Sequence, residues 1–185
     1  MSLRLLHAAA DAENTDELHL GRLLVLLSSA GGRRQTKTVE GITKLAKLDF
    51  LLRYPNCLER ALQHVGQNPE KAEIQPYERD TIETKMIRFR YGPWDGRYRR
   101  WLSLLVAKGL AEVTTKGRTV HITLTSRGYD TAAVLRQSEH FMDIAKRSDM
   151  ITQTFGAYSG KRLMNFVYET FPELLNMKWG ENIQL

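Results

Sequence analysis

The residues of this chain that could do chemistry at a surface are basic and fall into groups. Arg88 and Arg90 lie close together, Arg97, Arg99 and Arg100 follow Asp95, Lys116 and Arg118 flank Gly117, and Arg33, Arg34 and Lys37 follow Gly31 and Gly32. A guanidinium offers a rigid fork of donors that suits phosphate oxygens and base edges, whereas an ammonium acts on phosphate as a point charge. Each group has a plainer alternative. Arg97, Arg99 and Arg100 could solvate an outer helix face or pair with neighbouring acids. Lys116 and Arg118 could mark a solvated hairpin tip, and the Gly31–Lys37 stretch a solvated linker rather than a phosphate-contacting loop.

No catalytic constellation accompanies them. Gly156–Arg162 (GAYSGKR) looks like a phosphate-binding loop but has three residues between its glycines instead of four. Arg162 also stands where a Ser or Thr should hold magnesium, so a helix start capped by Ser159 explains the segment better. His7, His19, His64, His121 and His140 show no ligand spacing, Cys57 reads as a small buried hydrophobe, and the carboxylates are scattered. The expectation is therefore no enzyme: no catalytic residue, no cofactor site and no metal site.

Composition agrees with a binding role. Of the net charge of +6, all the excess falls between Pro76 and Arg127, which favours a polyanion or an acidic protein surface as partner. A single cysteine excludes internal disulfides and fits a reducing compartment, so a cytoplasmic location is expected. The start, MSLRLLHAAADAE, has too short an apolar core for an export signal, and no run is long enough to span a bilayer.

The elements that must position the arginines are legible in part. Trp94, Tyr98, Trp101 and Leu105 recur at helical spacing, Pro93 and Asp95 mark a helix start, and Gly109 marks its end. Leu110–Thr115 and Thr119–Thr125 read as two strands joined at Lys116-Gly117-Arg118, with Val120, Ile122 and Leu124 alternating inward. Helix, hairpin, helix is the second half of a winged helix-turn-helix. Upstream, the pattern predicts helices over about 18–30, 38–54 (Val39, Ile42, Leu45, Leu48 and Leu52 inward, Lys44 and Lys47 outward), 56–65 and 76–89. Downstream it predicts one from Thr125 or Ser126 to about Met150, and a last one over 161–171 ended by Pro172. The fold class is thus mainly α with a small antiparallel β-hairpin. It divides into an N-terminal degenerate helix-turn-helix (1–66), a linker (67–76), a winged helix (77–135), possible as the second of a tandem, and a C-terminal helical region (136–185).

Three stretches, ITKLAKLDFLLRYP (Ile42–Pro55), IETKMIRFRYGPWDGRY with LVAKGLAEV (Ile82–Val113), and KRLMNFVYETFPEL with WGENI, resemble the middle component of bacterial ABC-three-component systems. That family includes the small third subunit of Lamassu anti-phage and anti-plasmid systems, and RYGPWD with the following KGL is the most specific part of the resemblance. It implies a non-catalytic winged-helix accessory subunit that binds an SMC/Rad50-like ATPase and helps assemble or restrain an effector, commonly a nuclease. Winged helices in such complexes can contact the ATPase heads, double-stranded DNA, or both, so the basic segment is open to either partner, and no membrane partner is expected. The competing expectation is a dimeric winged-helix transcription regulator, against which stands the lack of a long C-terminal heptad repeat.

Overall fold

The computed structural model describes residues 16–76, 78 and 85–185. Helices predominate, and the described strands make two small antiparallel sheets. Helix α1 (Asp16–Gly31) is followed by a two-residue strand β1 (Val39–Glu40), α2 (Ile42–Arg53), α3 (Pro55–His64) and a 3-10 turn at Pro69–Ala72. Strands β2 (Ile87–Phe89) and β3 (Gly92–Trp94) form a tight hairpin ahead of α4 (Tyr98–Ala107). A second hairpin, β4 (Ala111–Lys116) and β5 (Thr119–Leu124), leads into α5 (Ser126–Gln137), α6 (Met142–Phe155), α7 (Gly160–Thr170) and the short α8 (Glu173–Asn176).

The three-stranded sheet has the order β1-β5-β4, with Val39 opposite Ile122 and Ala111 opposite Leu124. Its hairpin turns where the sequence places it, on Gly117 and Arg118 between the paired Lys116 and Thr119. Gly109 ends α4 with φ +67°, a left-handed conformation that costs a glycine little. Thr125 caps α5, its hydroxyl accepting from the Gly128 amide at 3.0 Å, and a Cβ at Gly128 would lie 1.9 Å from the Leu110 carbonyl oxygen. The hairpin's two ends are thereby held tightly together.

Several expectations are corrected. The stretch read as a helix over 38–54 begins only at Ile42, because Val39 and Glu40 pair with β5. Lys44 and Lys47 are buried, not outward: the packing of α2 against α6, α7 and β3 covers nearly its whole circumference. Ile87–Phe89 is a strand rather than the end of a 76–89 helix, and the rest of that reading falls partly outside the described residues. Trp94 lies on β3, so α4 starts at Tyr98. The long helix expected to reach Met150 stops at Gln137, since Ser138 takes an extended conformation with ψ 143°.

Segment 67–76 does not separate two cores. Buried side chains from Leu20 to Ile183 form a single cluster, Ala72 is buried, and its carbonyl accepts from Arg147 Nε at 3.1 Å. β1 also pairs across the expected boundary with β5. The last residues do the same for the other hairpin: Ile183 N donates to the Met86 carbonyl at 2.8 Å and Arg88 N to the Glu181 carbonyl at 2.8 Å.

A buried carboxylate joins the helices that carry the basic surface. Asp49 on α2, with no solvent exposure, accepts from Arg22 Nε of α1 at 2.7 Å and Nη2 at 3.2 Å, and from the Tyr98 hydroxyl of α4 at 2.6 Å. Burial alone would push its pKa up; the charges of Arg22 and Arg53 and these hydrogen bonds hold it below the usual carboxylate value. Arg22 Nη1 also donates to His19 Nδ1 at 2.9 Å, so the buried His19 ring accepts there as a neutral imidazole against Trp101, 4.5 Å between centroids.

Replacing Asp49 with Ala strands Arg22 inside the core and is expected to cost on the order of 3–5 kcal/mol, measured by urea unfolding at neutral pH. Burial, followed by the charge of Arg22, lowers the His19 pKa from 6.5 to about 4. Between those values the unfolded chain takes up a proton that the folded chain refuses, so stability falls as pH drops through this window. The loss should reach at most about 3 kcal/mol and should disappear from the pH profile of a His19→Gln variant.

Candidate functional site

The basic residues do not all reach solvent. Arg88 is buried on β2, where Nε donates to the Leu174 carbonyl at 2.8 Å, Nη1 donates to the Phe89 carbonyl, and the guanidinium lies 5.4 Å from the Tyr168 ring. It fastens the first hairpin to α7 and α8 and is not available as a surface contact. Arg97 is folded back on Asp95, with Nε to Oδ1 at 3.0 Å and Nη2 to Oδ2 at 2.8 Å, and stands 4.7 Å over Trp101. Arg100 reaches across to Asp16 on α1 at 2.5 Å. That pair is largely in water and worth little to stability, yet it leaves Arg100 less to offer an anion.

Arg90, Arg99, Lys116, Arg118, Arg33, Arg34 and Lys37 are exposed, and none has a carboxylate within ion-pair distance among the described residues. They do not make a single patch. Arg99 near the start of α4 and Arg118 at the hairpin tip line one open cleft of roughly 620 Å³ between α2, α4, the hairpin and the start of α7. Arg33 instead borders a different hollow with Ser29, Arg136 and Asp149, so the glycine loop serves another face. Arg90 sits beside its neighbour Tyr91, 5.3 Å from the ring.

The turn that sets the α4 arginines is built around Asp95. This carboxylate accepts from the Arg97 amide at 3.0 Å and from Arg53 Nη1 of α2 at 3.0 Å, in addition to the Arg97 side chain. Burial raises its pKa, but the Arg97 hydrogen bonds and the Arg53 charge outweigh that and hold it well below the ordinary carboxylate range. Asp95 acts in the turn ahead of α4 rather than as its cap residue, a position taken by Arg97. On the water-facing side of α4, Arg99, Ser103 and Val106 follow one another at helical spacing, all exposed.

Sequence reasoning missed Lys47 and Lys161, which line the cleft beside Arg99 and Arg118. Lys47 was concealed by its place on a stripe that reads as solvent-facing. Lys161 was concealed by its neighbours, which read as a helix start, and Ser159 does cap α7, accepting from the Arg162 amide at 3.2 Å. Among the described residues no three His, Cys, Asp or Glu side chains gather to hold a metal, and burial pushes the Cys57 thiol up to about 12. Among the described residues no helix is long and apolar enough to cross a membrane.

The chain matches no protein-family model, no curated protein and no solved structure.

Substituting Asp95 with Asn should cost about 1–3 kcal/mol at neutral pH, through weakened charged hydrogen bonds to Arg97 and Arg53. Because the folded carboxyl titrates below its unfolded value of 3.8, the wild-type advantage is complete above that pH and lost on further acidification. Acid titrations of the two proteins followed by circular dichroism should therefore draw together progressively as the pH falls below 3.8, with most of the difference still present at about pH 3.

Proposed function

We propose that this chain is a non-catalytic, winged-helix accessory subunit that presents a basic face to the backbone of duplex DNA while docking on an SMC-like ATPase and its nuclease effector. The observation that carries the DNA half is the placement of Arg99 on α4 and Arg118 at the hairpin tip around one cleft. In a winged helix the last helix of the helix-turn-helix enters the major groove and the wing follows the backbone. The element order supports that reading: α1, β1, α2, then α4 running through Gly109 into a β4–β5 hairpin whose second strand pairs with β1. Here the turn of the motif is replaced by the long insertion 54–97, which carries α3 and the first hairpin.

The tandem arrangement is not part of this proposal, because β1 and α2 complete the sheet and helix pair of the same unit as α4. The ATPase half rests on the resemblance of Ile42–Pro55, Ile82–Val113 and the C-terminal stretch to ABC-three-component middle subunits. The exposed Val106 beside Arg99 and Ser103 suits contact with either a base edge or a protein face.

The double charge reversal Arg99→Glu with Arg118→Glu tests the DNA half. If these side chains meet phosphates, duplex binding weakens and the log K against log salt slope becomes shallower by about 2. Co-expression with the products of the adjacent genes tests the other half and should yield a complex containing this chain and the ATPase. A chain that purifies alone, with salt dependence unchanged by the reversals, overturns the proposal.

A further inference from the structure

The cleft holds a cation that the fold itself does not use. Lys47 is 2% exposed, and its ammonium makes one hydrogen bond, to the Thr43 carbonyl of its own helix at 3.0 Å. Among the described residues no carboxylate lies within ion-pair distance of it. A lysine ammonium has three donors, so two remain for something else. Other buried basic side chains here have an evident structural role, since Arg22 and Arg53 pair with acids and Lys44 holds the Gly156 carbonyl at 2.8 Å.

The surroundings of Lys47 indicate what the missing partner is. Arg99, Arg118 and Lys161 line the same cleft from three separate elements, and Glu40 is the one carboxylate among the lining residues. Four cations against one acid favour an anion with more than one oxygen to share. Two aromatic rings complete the wall, the half-exposed Tyr91 and the partly buried Trp94, whose own ring stands 5.4 Å from Tyr98. A flat apolar face beside a cationic floor suits a phosphate attached to a planar ring.

We infer that this cleft is a binding site for a nucleotide unit, with its phosphate on Lys47, Arg99, Arg118 and Lys161 and its base against Tyr91 or Trp94. The unit is either a free nucleotide or the phosphorylated end of a single strand, which share that chemistry. This goes beyond the duplex-binding proposal and does not require the ATPase. Burial lowers the Lys47 pKa to about 8, the mark of a charge held without compensation; a bound phosphate supplies it. The site resembles no magnesium-dependent loop, since the Gly156–Arg162 glycines have the wrong spacing for one.

The test titrates the full chain, by calorimetry, with inorganic phosphate, adenosine monophosphate, and a short single strand with and without a 5′-phosphate. Adenosine monophosphate should bind about tenfold tighter than inorganic phosphate, as one stacked ring predicts. Lys47→Met should weaken it by about tenfold or more, the worth of one charged hydrogen bond, without lowering the thermal midpoint, because it removes an uncompensated buried charge. A 5′-phosphorylated strand that binds more tightly than the mononucleotide identifies the strand end as the source; equal affinities identify the free nucleotide. The duplex-binding proposal requires no affinity for adenosine monophosphate, so the mononucleotide titration separates the inference from the proposed function. Failure of adenosine monophosphate and both strands to bind at millimolar concentration overturns it, as does unchanged affinity in Lys47→Met. Should that variant unfold, the exposed Arg118→Gln decides instead, with a severalfold loss supporting the site and no loss overturning it.

Discussion

Asp49 is the constraint from which the rest of this structure follows. A carboxylate wholly removed from water must find its charge and hydrogen bonds within the protein, and it does so on Arg22 and Tyr98. Those three residues belong to α1, α2 and α4, and the whole insertion 54–97 separates the last of these from the other two. Apolar packing between these helices would tolerate sliding. A two-pronged contact to Arg22 with a phenol hydrogen bond on the second oxygen does not, because a small shift leaves a buried charge without its partner. The orientation of α4, and hence of Arg99, is set from inside.

Asp95 repeats the device nearer the surface. It fixes the turn before α4 through the Arg97 amide and ties that turn to α2 through Arg53. The result is a division of labour among like residues. Arg22, Arg53, Arg88 and Arg97 hold elements in place, while Arg99 and Arg118 are free to face an outside anion. Net charge and its clustering could not have made that distinction, since a buried arginine and an exposed one count alike.

What the sequence disclosed followed from short-range physics. The β4–β5 hairpin was readable from its alternation and Gly117, the end of α4 from Gly109, and the α7 start from Ser159. Three features were hidden because their causes lie far along the chain. Val39–Glu40 is strand only because β5 offers an edge, and two residues carry no period of their own. Ile87–Phe89 borrows partners from β3 and from residues near Asn182. Lys47 is inside because α2 is covered on nearly all sides, whereas a periodicity argument assumes one wet face. The basic cluster was legible as a tendency, and its sorting into paired and unpaired members required the tertiary contacts.

The tail pairing with the first hairpin bears on how this molecule is made. β2 is a three-residue strand that meets β3 on one side and the backbone at 180–183 on the other, where Ile183 is fully buried. A ribosome delivers β2 nearly a hundred residues before that partner emerges. The insertion 54–97 therefore cannot reach its final hydrogen bonding while the chain is still being translated through α4 and the second hairpin. Its completion is a late event in biogenesis, and until then an unpaired strand edge stays open to whatever chaperone or nascent neighbour arrives first.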